Sequence, residues 1–103
     1  DAATLAKKQK RSEAAKKGKG IEKIFKALAN KRRISILKYL KWKGSASVGD
    51  IANNLRLSFK ATSKHLMILS HVDIVEKKQV SLTMICSLSK INHPIVKKLL
   101  EFL

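Results

Sequence analysis

Lys60, Ser63, Lys64 and Met67 recur at the i, i+3, i+4 and i+7 spacing that lines side chains along one stripe of a helix. Two ammonium groups and a hydroxyl on one stripe can donate hydrogen bonds to phosphate oxygens or to acceptor edges of bases in a major groove. Ser58, just ahead of them, is a candidate helix cap whose hydroxyl could also donate to a phosphate near a helix N-terminus. Phe59 could meet a thymine methyl or pack on a neighbouring loop. The opposite stripe, Thr62, Leu66 and Leu69, is mostly apolar. An ordinary solvated helix face shows the same pattern, and these residues alone do not separate the two.

Other chemistries find little support. Asp50 and Asp73 fall at a cap and a turn, and Glu22, Glu76 and Glu101 stand among lysines, so no carboxylate pair is set up for acid–base work. There is no phosphate-cradling glycine-rich loop, and the chain reads as no enzyme. His65 and His71 lie six apart, unlike i, i+4 metal ligands, and His65 suits local packing and hydrogen bonding. The single cysteine, Cys86, excludes an internal disulfide and a cysteine-cluster metal site, and reads as a small buried hydrophobe. The reading is therefore no metal, no cofactor and no small-molecule ligand.

Charge points to a polyanion. The 103 residues hold 23 Lys plus Arg against 7 Asp plus Glu, a formal net charge of +16. The first 19 contain seven basic and two acidic residues, so 16 and five, a net +11, remain in the rest. Apolar residues at 45% suffice for one small core. No apolar run is long enough to span a bilayer and no secretory signal is visible, which suits a cytoplasmic, nucleoid-associated protein rather than a membrane one.

Residues 1–20 read as a basic arm or frayed helix, and Asp1 in place of Met admits a processed start. Ile21, Ile24, Phe25 and Leu28 have helical spacing. Asn30 is a good N-cap for a second helix, Lys31 to about Trp42, with Ile34, Leu37 and Leu40 inward and Ile36 and Tyr39 flanking. Lys31, Arg32 and Arg33 crowd its first turn, where positive charge opposes the helix dipole, so an anionic partner is one explanation and a solvated turn the other. After a loop over Trp42–Ser45, Ser47 and Asp50 form a capping-box-like start to the helix Val48–Leu55. Arg56-Leu57 is a turn, Ser58 the next cap, and Phe59–Ser70 the following helix. Ile74-Val75 begins a strand, Glu76–Gln79 is polar, and Val80–Leu88 alternates with Val80, Leu82, Met84, Cys86 and Leu88 on one face. Asn92 can cap a last helix with Pro94 in its first turn.

Helix, helix, helix-turn-helix, hairpin, helix is the order of a mainly α winged helix-turn-helix over residues 21–103, with helices at both ends. Those ends are too apolar for so small a core to cover both. Ile21, Ile24, Phe25 and Leu28 with Ile95, Leu99 and Phe102 are the expected homodimer interface.

FKALANKRRISILKYL (25–40) resembles the opening of the ArsR/SmtB-type winged-helix repressors, with Phe-x-Ala-Leu, a small-polar stretch, Arg and Ile-Leu-x-x-Leu. The resemblance continues through Ile51-Ala52, Leu55, Leu57-Ser58, Ser63, His65-Leu66 and Leu69, and resumes at Ile74-Val75. It implies a dimeric DNA-binding regulator, with Ser58, Lys60, Ser63, Lys64 and His65 on the recognition helix and Lys77 and Lys78 on the wing. Ser47-Val48-Gly49-Asp50 stands where metal-sensing members carry Cys-x-Cys-Asp, so the thiolates are missing. On the last helix only His93, beside Asn92, offers a good donor, with Glu101 further on. The wing lacks the family's glycine and puts Val80 and Leu82 near its tip.

The expectation is a homodimeric regulator of double-stranded DNA, a repressor, with phosphate contacts from Lys31, Arg32, Arg33, Lys77 and Lys78. Two alternatives remain open. A non-specific architectural DNA binder fits the +16 charge and a recognition helix without Arg, Asn or Gln. A protein–protein module of a transcription assembly fits the apolar wing.

Overall fold

The computed structural model describes residues 20–103. The basic arm expected over 1–20 lies outside the described residues, except Gly20, which begins helix α1 (20–28). Asn30, in an extended conformation, caps α2 (Lys31–Lys43) by accepting from the backbone N–H groups of Arg32 and Arg33 at 3.0 and 3.1 Å. Gly44 ends α2 at φ 88°, a left-handed value glycine tolerates, with its N–H returned to the Leu40 carbonyl. A strand β1 (Ser45–Ser47) then leads into α3 (Val48–Leu55), capped by Ser47, whose Oγ accepts from the Asp50 N–H at 3.1 Å. Arg56 at φ 55° turns the chain into α4 (Phe59–His71). Strands β2 (Val75–Val80) and β3 (Thr83–Leu88) form the hairpin, and α5 (Pro94–Phe102) closes the chain.

The sheet has three antiparallel strands in the order β1-β3-β2. Ala46 lies opposite Cys86, and Cys86 opposite Lys77. Ala46, Cys86 and Val75 bring the sheet's inner face to a core built on Ile36, Leu37, Leu40, Ile51, Leu66, Leu69, Ile74 and Val96.

Several expectations need correction. On α2, Ile36 is buried with Leu37 and Leu40, whereas Ile34 is half-buried. The inward stripe is thus 33-36-37-40, which brings Arg33 to the core's edge. Ser45 belongs to a strand, not a loop. The polar run Glu76–Gln79 is strand as well, and the reversal comes at Ser81-Leu82, with Val80 opposite Thr83. Ser81 is left-handed (φ 58°) and Leu82 is not, the pattern of a primed two-residue turn that matches the twist of the strands. Met84, Cys86 and Leu88 keep the inward face; Val80 falls on the outer face beside Lys78, and Leu82 belongs to the turn. His93, not Asn92, caps α5, because Pro94 takes the first helical position and the residue before it becomes the cap. Asn92 Nδ2 donates instead to the Ser89 carbonyl at 2.7 Å.

The terminal helices divide. Ile24, Leu28 and Val96 are buried within the protomer, Ile21 and Leu99 are half-buried, and Phe25, Ile95 and Phe102 are exposed.

Candidate nucleic-acid interface

The site is built on α4. Thr62, Leu66 and Leu69 are fully buried and clamp one side of the helix to the core. Lys60 and Lys64 are thereby turned to solvent, with Ser63 half-buried between them and Met67 exposed. Among the described residues no carboxylate pairs with Lys60, Lys64, Lys77 or Lys78; the ion pair found there is Lys98–Glu101 at 3.6 Å, on α5.

The start of α4 is tightly specified. Ser58 Oγ accepts from the Ala61 N–H at 3.0 Å, and its carbonyl accepts from the Thr62 hydroxyl at 2.9 Å and the Thr62 N–H at 3.0 Å. A serine hydroxyl has one donor besides its acceptor pairs, so this cap can still donate outward. Phe59 stands beside it, 62% exposed.

Arg33 and His65 are drawn inward. The Arg33 guanidinium donates through Nε to the Ala27 carbonyl and through Nη2 to the Lys26 carbonyl (3.3 Å), satisfying the open C-terminal end of α1. Its Nη1 lies 3.2 Å from His65 Nδ1. Guanidinium only donates, so this nitrogen of His65 must be unprotonated. Burial, and then the charges of Arg33, Arg32 and Lys64, push the His65 pKa below its ordinary value. Arg33 therefore ties α1, α2 and α4 together, and of the first-turn cluster Lys31 and Arg32 are the exposed members.

Lys77 and Lys78 are exposed on β2. They do not share a face. Lys77 lies opposite Cys86 on the inner face, and Lys78 opposite Ile85 on the outer. One exposed cation went unmarked by sequence reasoning. Arg56 sits in the turn between α3 and α4, where a left-handed residue gave no signal of its role. Leu82, at the hairpin tip, is 97% exposed.

Two positions where the resemblance places metal ligands serve here as helix caps. Ser47 Oγ is engaged in capping, and His93 Nδ1 accepts from the Ile95 N–H at 3.1 Å. Among the described residues no group of three or more His, Cys, Asp and Glu could hold an ion. Cys86 is fully buried and burial pushes its thiol up, against the weaker opposing effect of Lys77, so little thiolate forms. No described helix is long and apolar enough to cross a membrane.

The model of the family described as bacterial regulatory protein, arsR family, matches residues 30–77, which contain α2 to α4 and the start of the hairpin. No curated protein matches significantly. Among solved structures, reduced HlyU from Vibrio cholerae is 32% identical, covering 87% of this chain and 90% of its own, with a TM-score of 0.70. NolR from Sinorhizobium fredii is 30% identical over 87% and 86%, with a TM-score of 0.71. The homodimeric winged helix-turn-helix DNA-binding domain Mb0332 from Mycobacterium bovis, a possible ArsR-family transcriptional regulator, is 25% identical over 86% and 79%, with a TM-score of 0.74. With a recognition-type helix clamped to the core, a hairpin wing behind it and relatives of this similarity along most of its length, the chain belongs to the arsR family of bacterial regulatory proteins and has its winged helix-turn-helix fold.

Proposed function

We propose that the protein is a homodimeric repressor that binds a palindromic site in double-stranded DNA and works without a metal. The observation that carries this reading is α4: its apolar side is fully buried while Lys60 and Lys64 point outward without a carboxylate partner among the described residues. Ser58, Phe59 and Ser63 complete that surface, with phosphate contacts from Lys31, Arg32, Lys77 and Lys78. Arg33 and His65 act one layer back, as positioning residues. Dimerisation through Phe25, Ile95 and Phe102, which the protomer leaves exposed on α1 and α5, would set two copies of α4 one helical turn of DNA apart. The homodimeric Mb0332 domain is a precedent for such pairing.

The test is selection of bound sequences from a random DNA pool, followed by titration of the winner against random duplex. A regulator gives a specificity ratio of at least about a thousandfold. Lys60→Ala with Lys64→Ala lowers affinity and reduces the log–log salt slope by about 0.9 for each phosphate the missing lysines had neutralised. An unchanged slope and affinity would remove α4 from the interface. A ratio near unity would favour the second reading, an architectural DNA binder, which the +16 charge and the lysine-only recognition helix support.

A further inference from the structure

The outer end of the β2–β3 hairpin is an apolar point on a cationic stem. At the base Val75 and Cys86 are buried; at the tip Val80 is 50% and Leu82 97% exposed. Among the described residues nothing covers Leu82, so their packing does not call for a leucine there, and a turn position ordinarily takes a polar residue. Residues 77–88 contain Lys77 and Lys78 and no carboxylate. The nearest acid, Glu76, is engaged at the base, where its Oε1 accepts from Ser89 Oγ at 3.0 Å and the Lys90 N–H at 3.3 Å. Val80 shares its outer face with Lys78. Such a tip suits a partner that is negatively charged outside and apolar within. A base-pair step behind its phosphates meets that description, whereas a second copy of so basic a chain meets it with like charge.

We propose that Leu82 is a wedge that enters the minor groove and inserts at a base step, with Lys77 and Lys78 on the flanking phosphates. An apolar wedge partly unstacks the step and kinks the duplex toward the major groove. Pyrimidine–purine steps yield most easily, so the wing reads deformability, which supplies selectivity that lysines on α4 deliver weakly. The inference rests on the duplex-DNA reading above.

The experiment uses the full chain and a short alternating dA–dT duplex, one form carrying 2-aminopurine for unstacking and another carrying end dyes for energy transfer. Wild type raises both signals. Leu82→Ala, folded by circular dichroism, loses both while keeping its salt slope, because every phosphate-binding lysine is still in place; Leu82→Phe retains both. A Leu82→Ala protein with full signals overturns the wedge. Wild type that binds without changing either signal also overturns it but leaves the DNA-binding reading standing. Wild type that fails to bind duplex even at low salt removes both readings. A lower sedimentation mass of Leu82→Ala without DNA overturns the wedge in favour of self-association through the tip.

Discussion

Two basic elements face outward, and they are held in opposite ways. Helix α4 is fixed along its length, by Ser58 at its start and by Thr62, Leu66 and Leu69, all fully buried, through its body. The β2–β3 hairpin is held less firmly toward its turn, where Met84 is the last side chain to reach the core; exposure along β2 runs from 2% at Val75 to 50% at Val80. A helix meant to present side chains to a rigid duplex gains from being set by the core, since its lysines then pay little ordering entropy beyond their own. A hairpin whose outer end is mostly exposed opens locally there at little free-energy cost, which suits a part that must adjust to the surface it meets.

The largest expected effect breaks that contrast directly. Leu66→Ala leaves a cavity under α4 and should cost about 2–5 kcal/mol in urea unfolding. Leu82→Ala, at the other extreme of exposure, should stay within about 0.5 kcal/mol of wild type. Equal effects from the two would mean that α4 is not the better anchored element.

The sequence carried α2, α3 and α4 because each has both a cap and an apolar period: Asn30, Ser47 and Ser58 all cap where their side chains suggest. It carried less where one signal had to decide. On α2 two apolar registers compete, and the register that the core selects includes a charged residue, Arg33. A guanidinium that satisfies helix-end carbonyls looks, in one dimension, like a free phosphate contact. β1 is three residues long, too short for alternation to register, and its pairing with β3 is non-local. The hairpin reversal at Ser81-Leu82 lacks the Asn-Gly or Asp-Gly signature, so the polar run before it looked like the link. For the terminal helices, periodicity reveals an apolar stripe but not what it meets. Ile24 and Leu28 meet the protomer's own core, and Phe25 and Phe102 remain outside it.

A smaller effect sharpens the contrast at the N-terminus of α4. Ser58→Ala removes the acceptor for the Ala61 N–H and should cost about 1 kcal/mol, read from the urea midpoint. Because the same hydroxyl can donate outward, duplex affinity corrected for the unfolded fraction should also fall. A stability loss with unchanged corrected affinity would confine Ser58 to capping.

The smallest expected effect concerns the flank of α4, where His65 meets Arg33 with Nδ1 at 3.2 Å from Nη1. Protonating His65 turns an acceptor into a donor facing a donor, and adds positive charge beside Arg33, Arg32 and Lys64. Its folded pKa lies below its ordinary value, so between the two values the unfolded chain binds more protons than the folded one. Stability therefore holds above about pH 7 and declines as pH falls through the ordinary histidine value near 6.5 toward the lower folded one. His65→Gln, which can still accept from Arg33 but does not titrate, should flatten this part of the curve. Urea midpoints of the two proteins from about pH 7.5 down to about pH 5.5 bracket that ordinary value and provide the comparison, the difference between their slopes isolating His65 from groups common to both. Parallel curves would mean that the Arg33–His65 contact does not help hold α4. Among the described residues the hairpin has no corresponding contact at its tip, where the Gln79 amide donates to the Ser81 carbonyl two residues on, so the pH response should fall on the anchored element and leave the wing's exchange behaviour unchanged.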